Sequence, residues 1–261
     1  RMEPAELDKL FSAIQKLIIV KISINPSHGD DPQLIFESLN STGLGLEEAD
    51  KVRNFILMGL NSDLQTEYYN NFWSKIETLT SHNVSTFLRY YLAIKEQKLW
   101  PTDKLYKYFK AYVIENNLNT DISILLKDLL KYAHYYNYVI NADGESGYKG
   151  SLTKIKMLDF SIVYPFAMEL FEALDNNLVS ENDLDEIFLC IESYMARRII
   201  CGIDSGSLNK MFAFMGKNIK DLMSKEKISY LVAFKYIILN KVGHYRFPRD
   251  NEFEEKFLRK D

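Results

Sequence analysis

Apolar residues recur at steps of three and four along most of this chain, the spacing of helices that each bury one face. Leu7, Leu10, Phe11 and Ile14 mark the first such face, in a helix predicted over 3–16. The next stretch breaks the pattern. Residues 17–24, LIIVKISI, are β-branched and short, and read as the best strand in the chain. Asp31 before Pro32 marks a helix start, a capping acid followed by proline, and that helix runs to about Asn40. Helical spacing then predicts segments near 47–60, 63–79, 83–97, 102–117, 121–142, 152–175, 180–200, 205–216, 218–224, 228–241 and 249–259. A loop is expected at 141–151, where Gly144, Gly147 and Gly150 crowd together.

The fold class implied by this pattern is mainly α: a multi-helix bundle or array with at most a minimal N-terminal β element. The expected organisation is a first segment over 1–60, a helical subdomain over 61–143 and a second over 152–261. A lone strand leaves its backbone groups unpaired. Either a second strand is hidden, or the chain is a piece of a larger protein whose sheet lies upstream.

Composition sharpens this picture only slightly. The 261 residues are 47% hydrophobic and 26% charged, the balance of an ordinary globular protein. Seventeen Tyr and 16 Phe against 11 Gly and 6 Pro favour long packed helices. The net charge of −4 argues against a broadly basic nucleic-acid coat, while leaving room for a local basic patch. No apolar run is long enough to span a membrane, and the charged N-terminus is not a signal peptide. Cys190 and Cys201 would lie roughly 16 Å apart on a helix, beyond disulfide reach, which fits a reduced, cytoplasmic setting.

Motifs for phosphate loops, dinucleotide folds, zinc proteases and nucleophile elbows are absent. His28, His82, His134 and His244 fall in separate segments without ligand spacing. The acid pairs Asp30/Asp31 and Glu47/Glu48 sit at helix starts, where the dipole favours them. The corner NSTGLGLEEAD, 40–50, reads as a tight turn through Gly43 and Gly45, plugged by Leu44 and Leu46. With Glu47 at the N-cap, Asp50 occupies the capping-box position. The free amides there could hold an anion, but Glu47, Glu48 and Asp50 would repel a phosphate.

A second constellation spans 191–212, IESYMARRIICGIDSGSLNKMF. The stripe Leu184, Ile187, Phe188, Ile191 and Tyr194/Met195 continues onto Arg198, so this arginine needs a buried carboxylate or carbonyl partner. Arg197 points about 100° away and can face solvent, a candidate anion or nucleic-acid contact with Lys210. Gly202 suits a helix C-terminus, and Ser205 or Ser207 can cap the next helix. The Tyr- and Lys-rich segments KLYKYFKAYVIE and LLKYAHYYNYVINA read as helix packing or as single-strand stacking platforms.

Two of these stretches together resemble a known family. IFESLNSTGLGLEEADKVRNFIL matches, at Phe36, Leu39, Asn40, Gly43, Leu46, Asp50, Arg53 and Asn54, the C-terminal signature of domain-of-unknown-function family 262, the GmrSD N-terminal domain. ESYMARRIICGIDSGSLNKMF is similar to its second helical signature, through Glu192, Tyr194, Arg197, Arg198 and Asn209. HYRFPRDNEFEEKF resembles the approach to the companion family 1524 domain, which carries an HNH-type nuclease. The resemblance implies a ParB/sulfiredoxin-like, NTPase-like domain upstream, a nuclease downstream, and a parent acting in restriction of modified phage DNA as a nucleotide-dependent endonuclease.

The family's Asp-Gly-Gln-Gln-Arg motif and the nuclease histidines are not in this sequence. No catalytic, metal or cofactor residue is therefore carried over. Nucleotide and divalent metal belong to the implied parent, and the strand at 17–24 would be a remnant of its upstream domain. The expected role is a non-catalytic helical middle region that couples the two flanking domains and contacts DNA, with no membrane association. The alternatives are a helical protein–protein interaction module without DNA binding, and a self-contained anion-dependent enzyme built on the 40–50 corner, Arg197 and Arg198.

Overall fold

A computed structural model of the chain describes residues 4–18, 46–204, 206 and 208–258. The chain divides into two compact units, 1–45 and 46–261. In the first, α1 (Pro4–Ile14) carries Leu10, Phe11 and Ile14 exposed. Leu17 and Ile18, the start of the expected strand, are exposed and outside any helix. The rest of that stretch, the helix expected after Asp31, and Phe36, Leu39, Asn40 and Gly43 lie outside the described residues.

The second unit is an array of helices, and no strand occurs among its described residues. α2 is Glu48–Leu57, and α3 (Ser62–Tyr68) leads through a π-helical turn at Tyr69–Trp73 into α4 (Ser74–Leu79). Then come α5 (Val84–Glu96), α6 (Leu105–Glu115), α7 (Ile122–Ile140), α8 (Gly147–Met157) and α9 (Tyr164–Asp175). α10 (Glu181–Ile200), α11 (Leu208–Ala213), α12 (Met215–Glu226), α13 (Tyr230–Leu239) and α14 (Asp250–Leu258) complete it. α8 packs on α10, α7 on α9, α12 on α13 and α2 on α6. One buried cluster runs from Ala49 to Ile238, crossing the 141–151 segment without a break.

Three of the four tyrosines of α7 and their partners belong to this core. Tyr132, Tyr135 and Tyr136 are buried, and Tyr91 and Tyr132 meet edge to face at 5.3 Å. Their polar ends reach carboxylates: Tyr91 donates to Asp128 at 2.7 Å and Tyr135 to Asp175 at 2.5 Å. Cys190 and Cys201 are unpaired thiols, and burial pushes Cys190 up to about 11, which keeps it inert.

The expected helix over 152–175 is two helices. α8 begins at Gly147, inside the expected loop, and a break at 158–163 precedes α9. The early start is made from outside: Asp185 of α10 accepts the Tyr148 N–H at 2.6 Å, capping the first turn. The break falls at Asp159, whose φ of +55° is left-handed.

Borrowed caps recur in this unit. Glu47 makes no side-chain cap for α2, so the expected capping box is not formed. Ser85 of α5 instead accepts the Ala49 N–H at 3.2 Å, and Asp50 pairs with Arg53 at 3.0 Å. Glu48 reaches across and accepts the Tyr106 N–H of α6 at 2.7 Å. At the start of α12, Gly216 lies so close to the buried Glu169 of α9 that a Cβ there would sit 2.6 Å from its carboxyl carbon. α10 carries its own cap, a full capping box of Ser180 and Asp183.

Candidate nucleic-acid interface

The Glu-x-Tyr-x-x-Arg-Arg stretch lies on the last half of α10 and ends on a Schellman turn. Ile203 N–H bonds Arg198 O at 2.9 Å, Gly202 N–H bonds Ile199 O at 3.1 Å, and Gly202 takes φ +67°. Glu192 faces α8, accepting from Ser151 at 2.7 Å and pairing with Lys154 at 2.8 Å. The other three motif side chains face the segment 243–250. Tyr194 donates to Tyr245 O at 2.9 Å.

Arg198 is buried, as the stripe required, and its partners are carbonyls. It donates to His244 O at 2.7 Å, to Arg246 O at 3.5 Å and to Asp204 O. Its guanidinium also stands 5.2 Å from the Tyr194 ring. Arg197 is half-buried rather than free in solvent. It pairs with Asp250 at 2.6 Å, donates to Pro248 O at 3.3 Å and sits 4.9 Å from the Phe253 ring. A helix end with two arginines thus holds the segment that leads into α14.

Of the remaining motif positions, Leu46 is half-buried just before α2. Arg53 bridges Asp50 and Glu77, the latter at 3.3 Å, and the Asn54 carbonyl accepts the Met58 N–H that closes α2. Arg53 and Asn54 sit on α2, and no hydrogen bond or ion pair joins these positions to the arginines of α10 among the described residues.

Asn209 and Lys210 are exposed on α11. Lys210 lines a groove of about 370 Å³ with Phe214, Asn218, Lys241 and Tyr245. A second groove of about 350 Å³ shares Asn218 and Lys241 with it and adds Lys225, Tyr236 and the acid Asp221. Lys210 and Lys241 make no ion pair among the described residues. Tyr236 is exposed on α13, a flat ring beside cations, which is the composition that tracks a phosphate backbone and stacks bases.

The segment that supplies these grooves carries a signal in the sequence that periodicity hides, although only Lys210, Lys225 and Lys241 of its cations line them. Residues 208–249 hold seven lysines and two arginines against Asp221 and Glu226, a balance of +7 in a chain of net charge −4. The remainder is therefore at −11. An overall acidic charge conceals a basic segment.

The chain is 21% identical over 266 residues to the leucine–tRNA ligase of Wigglesworthia glossinidia brevipalpis, a match that takes in 90% of this chain and 30% of that protein. The chain thus spans less than a third of the length of that relative. No protein-family model and no solved structure matches the chain.

Proposed function

We propose that this chain is the non-catalytic helical middle region of a GmrSD-like, modification-dependent DNA restriction or defence protein. It couples an NTPase-like domain to a nuclease domain and contacts DNA through the Lys210–Lys241 groove. The observation that carries the reading is the engagement of the whole Glu-x-Tyr-x-x-Arg-Arg helix. Glu192 is fastened to α8, while Tyr194, Arg197 and Arg198 are fastened to 243–250. A motif whose every polar group clamps a chain segment transmits position and performs no chemistry of its own.

Fluorescence anisotropy with labelled duplex, single-stranded DNA and tRNA at stepped salt tests it. The tRNA arm reflects the ligase similarity. DNA contact predicts a Kobs that falls with salt, with a log–log slope of about −0.7 to −0.9 per neutralised phosphate. The same preparation should hydrolyse no nucleotide and cut no DNA. Absence of binding at low salt, or tRNA binding far tighter than DNA, overturns the reading.

A second reading, a helical protein-binding module, is favoured by exposed apolar side chains along and after α13: Val232, Tyr236, Leu239 and Val242 at 50, 60, 57 and 80%. It predicts no nucleic-acid binding at any salt.

A further inference from the structure

A cavity of about 470 Å³ opens between the end of α7, the start of α8 and α9. Its size falls in the range of small-molecule sites, roughly 300–1,000 Å³. Three aromatic rings in three planes bound it. Tyr138 and Tyr148 each stand against Phe171, with centroids at 5.4 and 5.9 Å and ring planes inclined by 60° and 72°. Phe171 is buried and backed by the fully buried Phe188 at 6.2 Å, so the floor is rigid. Tyr138 is 54% exposed, an aromatic standing at the mouth.

The lining holds two carboxylates, Asp143 and Asp175, against one cation, Lys149. Asp143 is exposed and makes no ion pair among the described residues. Asp175 uses Oδ2 for the Tyr135 hydroxyl and keeps Oδ1. Asn137 donates its amide to Leu79 O at 2.9 Å, which leaves its side-chain oxygen as an acceptor. The one lining cation, Lys149, is exposed and stands over none of the three rings. Ring faces carry negative charge density, and carboxylates at the rim add to it, so the cavity selects a cation with an apolar surface.

We infer that the Tyr138–Tyr148–Phe171 cavity binds an alkylated ammonium group, carried either on a free small molecule or on a methylated lysine of a peptide. No group of three or more His, Cys, Asp or Glu side chains that could hold a metal ion occurs among the described residues, and an anion would meet Asp143 and Asp175.

Calorimetric titration of the full chain with choline chloride, with its neutral carbon isostere, and with a short trimethyl-lysine peptide tests this. Choline or the peptide should bind at least about tenfold more tightly than the isostere. Tyr138→Ala should weaken binding by about five- to thirtyfold, the worth of one ring face, and Asp143→Asn should weaken it in the same direction. Asp143 is exposed, so the melting curve of Asp143→Asn should match the parent, whereas Tyr138→Ala gives up its edge-to-face contact with Phe171 and should lower stability by about 1 kcal/mol while the fold persists. A tighter peptide identifies a protein-borne ligand and tighter choline a free one. Equal binding of choline and isostere, no heat with any cation, or binding indifferent to Tyr138→Ala overturns the inference.

Discussion

Arg198 on α10 donates to the main-chain oxygen of His244 at 2.7 Å, and this buried guanidinium is met by carbonyls and the Tyr194 ring, with no carboxylate partner among the described residues. Removing it strips a donor from three carbonyl oxygens at once. Arg198→Ala should therefore cost roughly 3–5 kcal/mol, measured by urea unfolding. Arg197→Ala should cost about 1 kcal/mol or less, since its partner Asp250 is largely exposed. Its signature is instead faster proteolysis within 243–258, because α14 loses its tether.

Glu169 supplies a pH dependence. Burial pushes its carboxyl up to about 8, against opposing pulls from Lys220, the Gly216 N–H and Lys95. The folded state then holds this proton more tightly than the unfolded state does. Its contribution to stability is full below the ordinary value of 4.5 and is lost as pH rises through 8. The unfolding free energy should fall across that window, with a slope of at most about 1.4 kcal/mol per pH unit, and the melting temperature should fall with it. Glu169→Gln should flatten the profile and be the more stable form above pH 8, since its amide oxygen can still accept from Gly216. A parallel profile in the variant would show that another group titrates.

Gly216 is the other half of that contact. Gly216→Ala places a methyl against the Glu169 carboxyl and should cost about 1–3 kcal/mol. Combining it with Glu169→Ala should recover part of the loss, so a double-mutant cycle should show a coupling of about 1 kcal/mol. Additive losses would mean that the two residues do not share the site.

The basic groove is separable from the fold. Lys210→Glu and Lys241→Glu change side chains that hold no ion pair, so unfolding midpoints should hold. If both lysines meet phosphates, each change should reduce the salt slope by about 0.7–0.9 and weaken DNA binding. Lys75→Glu, outside the groove lining, should leave the slope unchanged.

The helical class, most helix positions and the burial of Arg198 were legible in the sequence by itself. Each rests on local information: a three-to-four residue period, a capping residue, or a charge falling on an apolar stripe. Gly202 at the end of α10 is the same kind of statement, and the Schellman turn forms there. The tertiary structure decided whatever depends on residues far apart in the chain. α8 starts at Gly147 because Asp185 caps it from 37 positions away. α2 does without its own cap because Ser85 provides one, 36 positions on. Arg197 turned from a free cation into a tether because Pro248 and Asp250 return to it. The Lys210–Lys241 groove and the Tyr138–Tyr148–Phe171 cavity are likewise assembled across helices. Periodicity records which face of a helix is buried, and only packing selects the partner that face will meet.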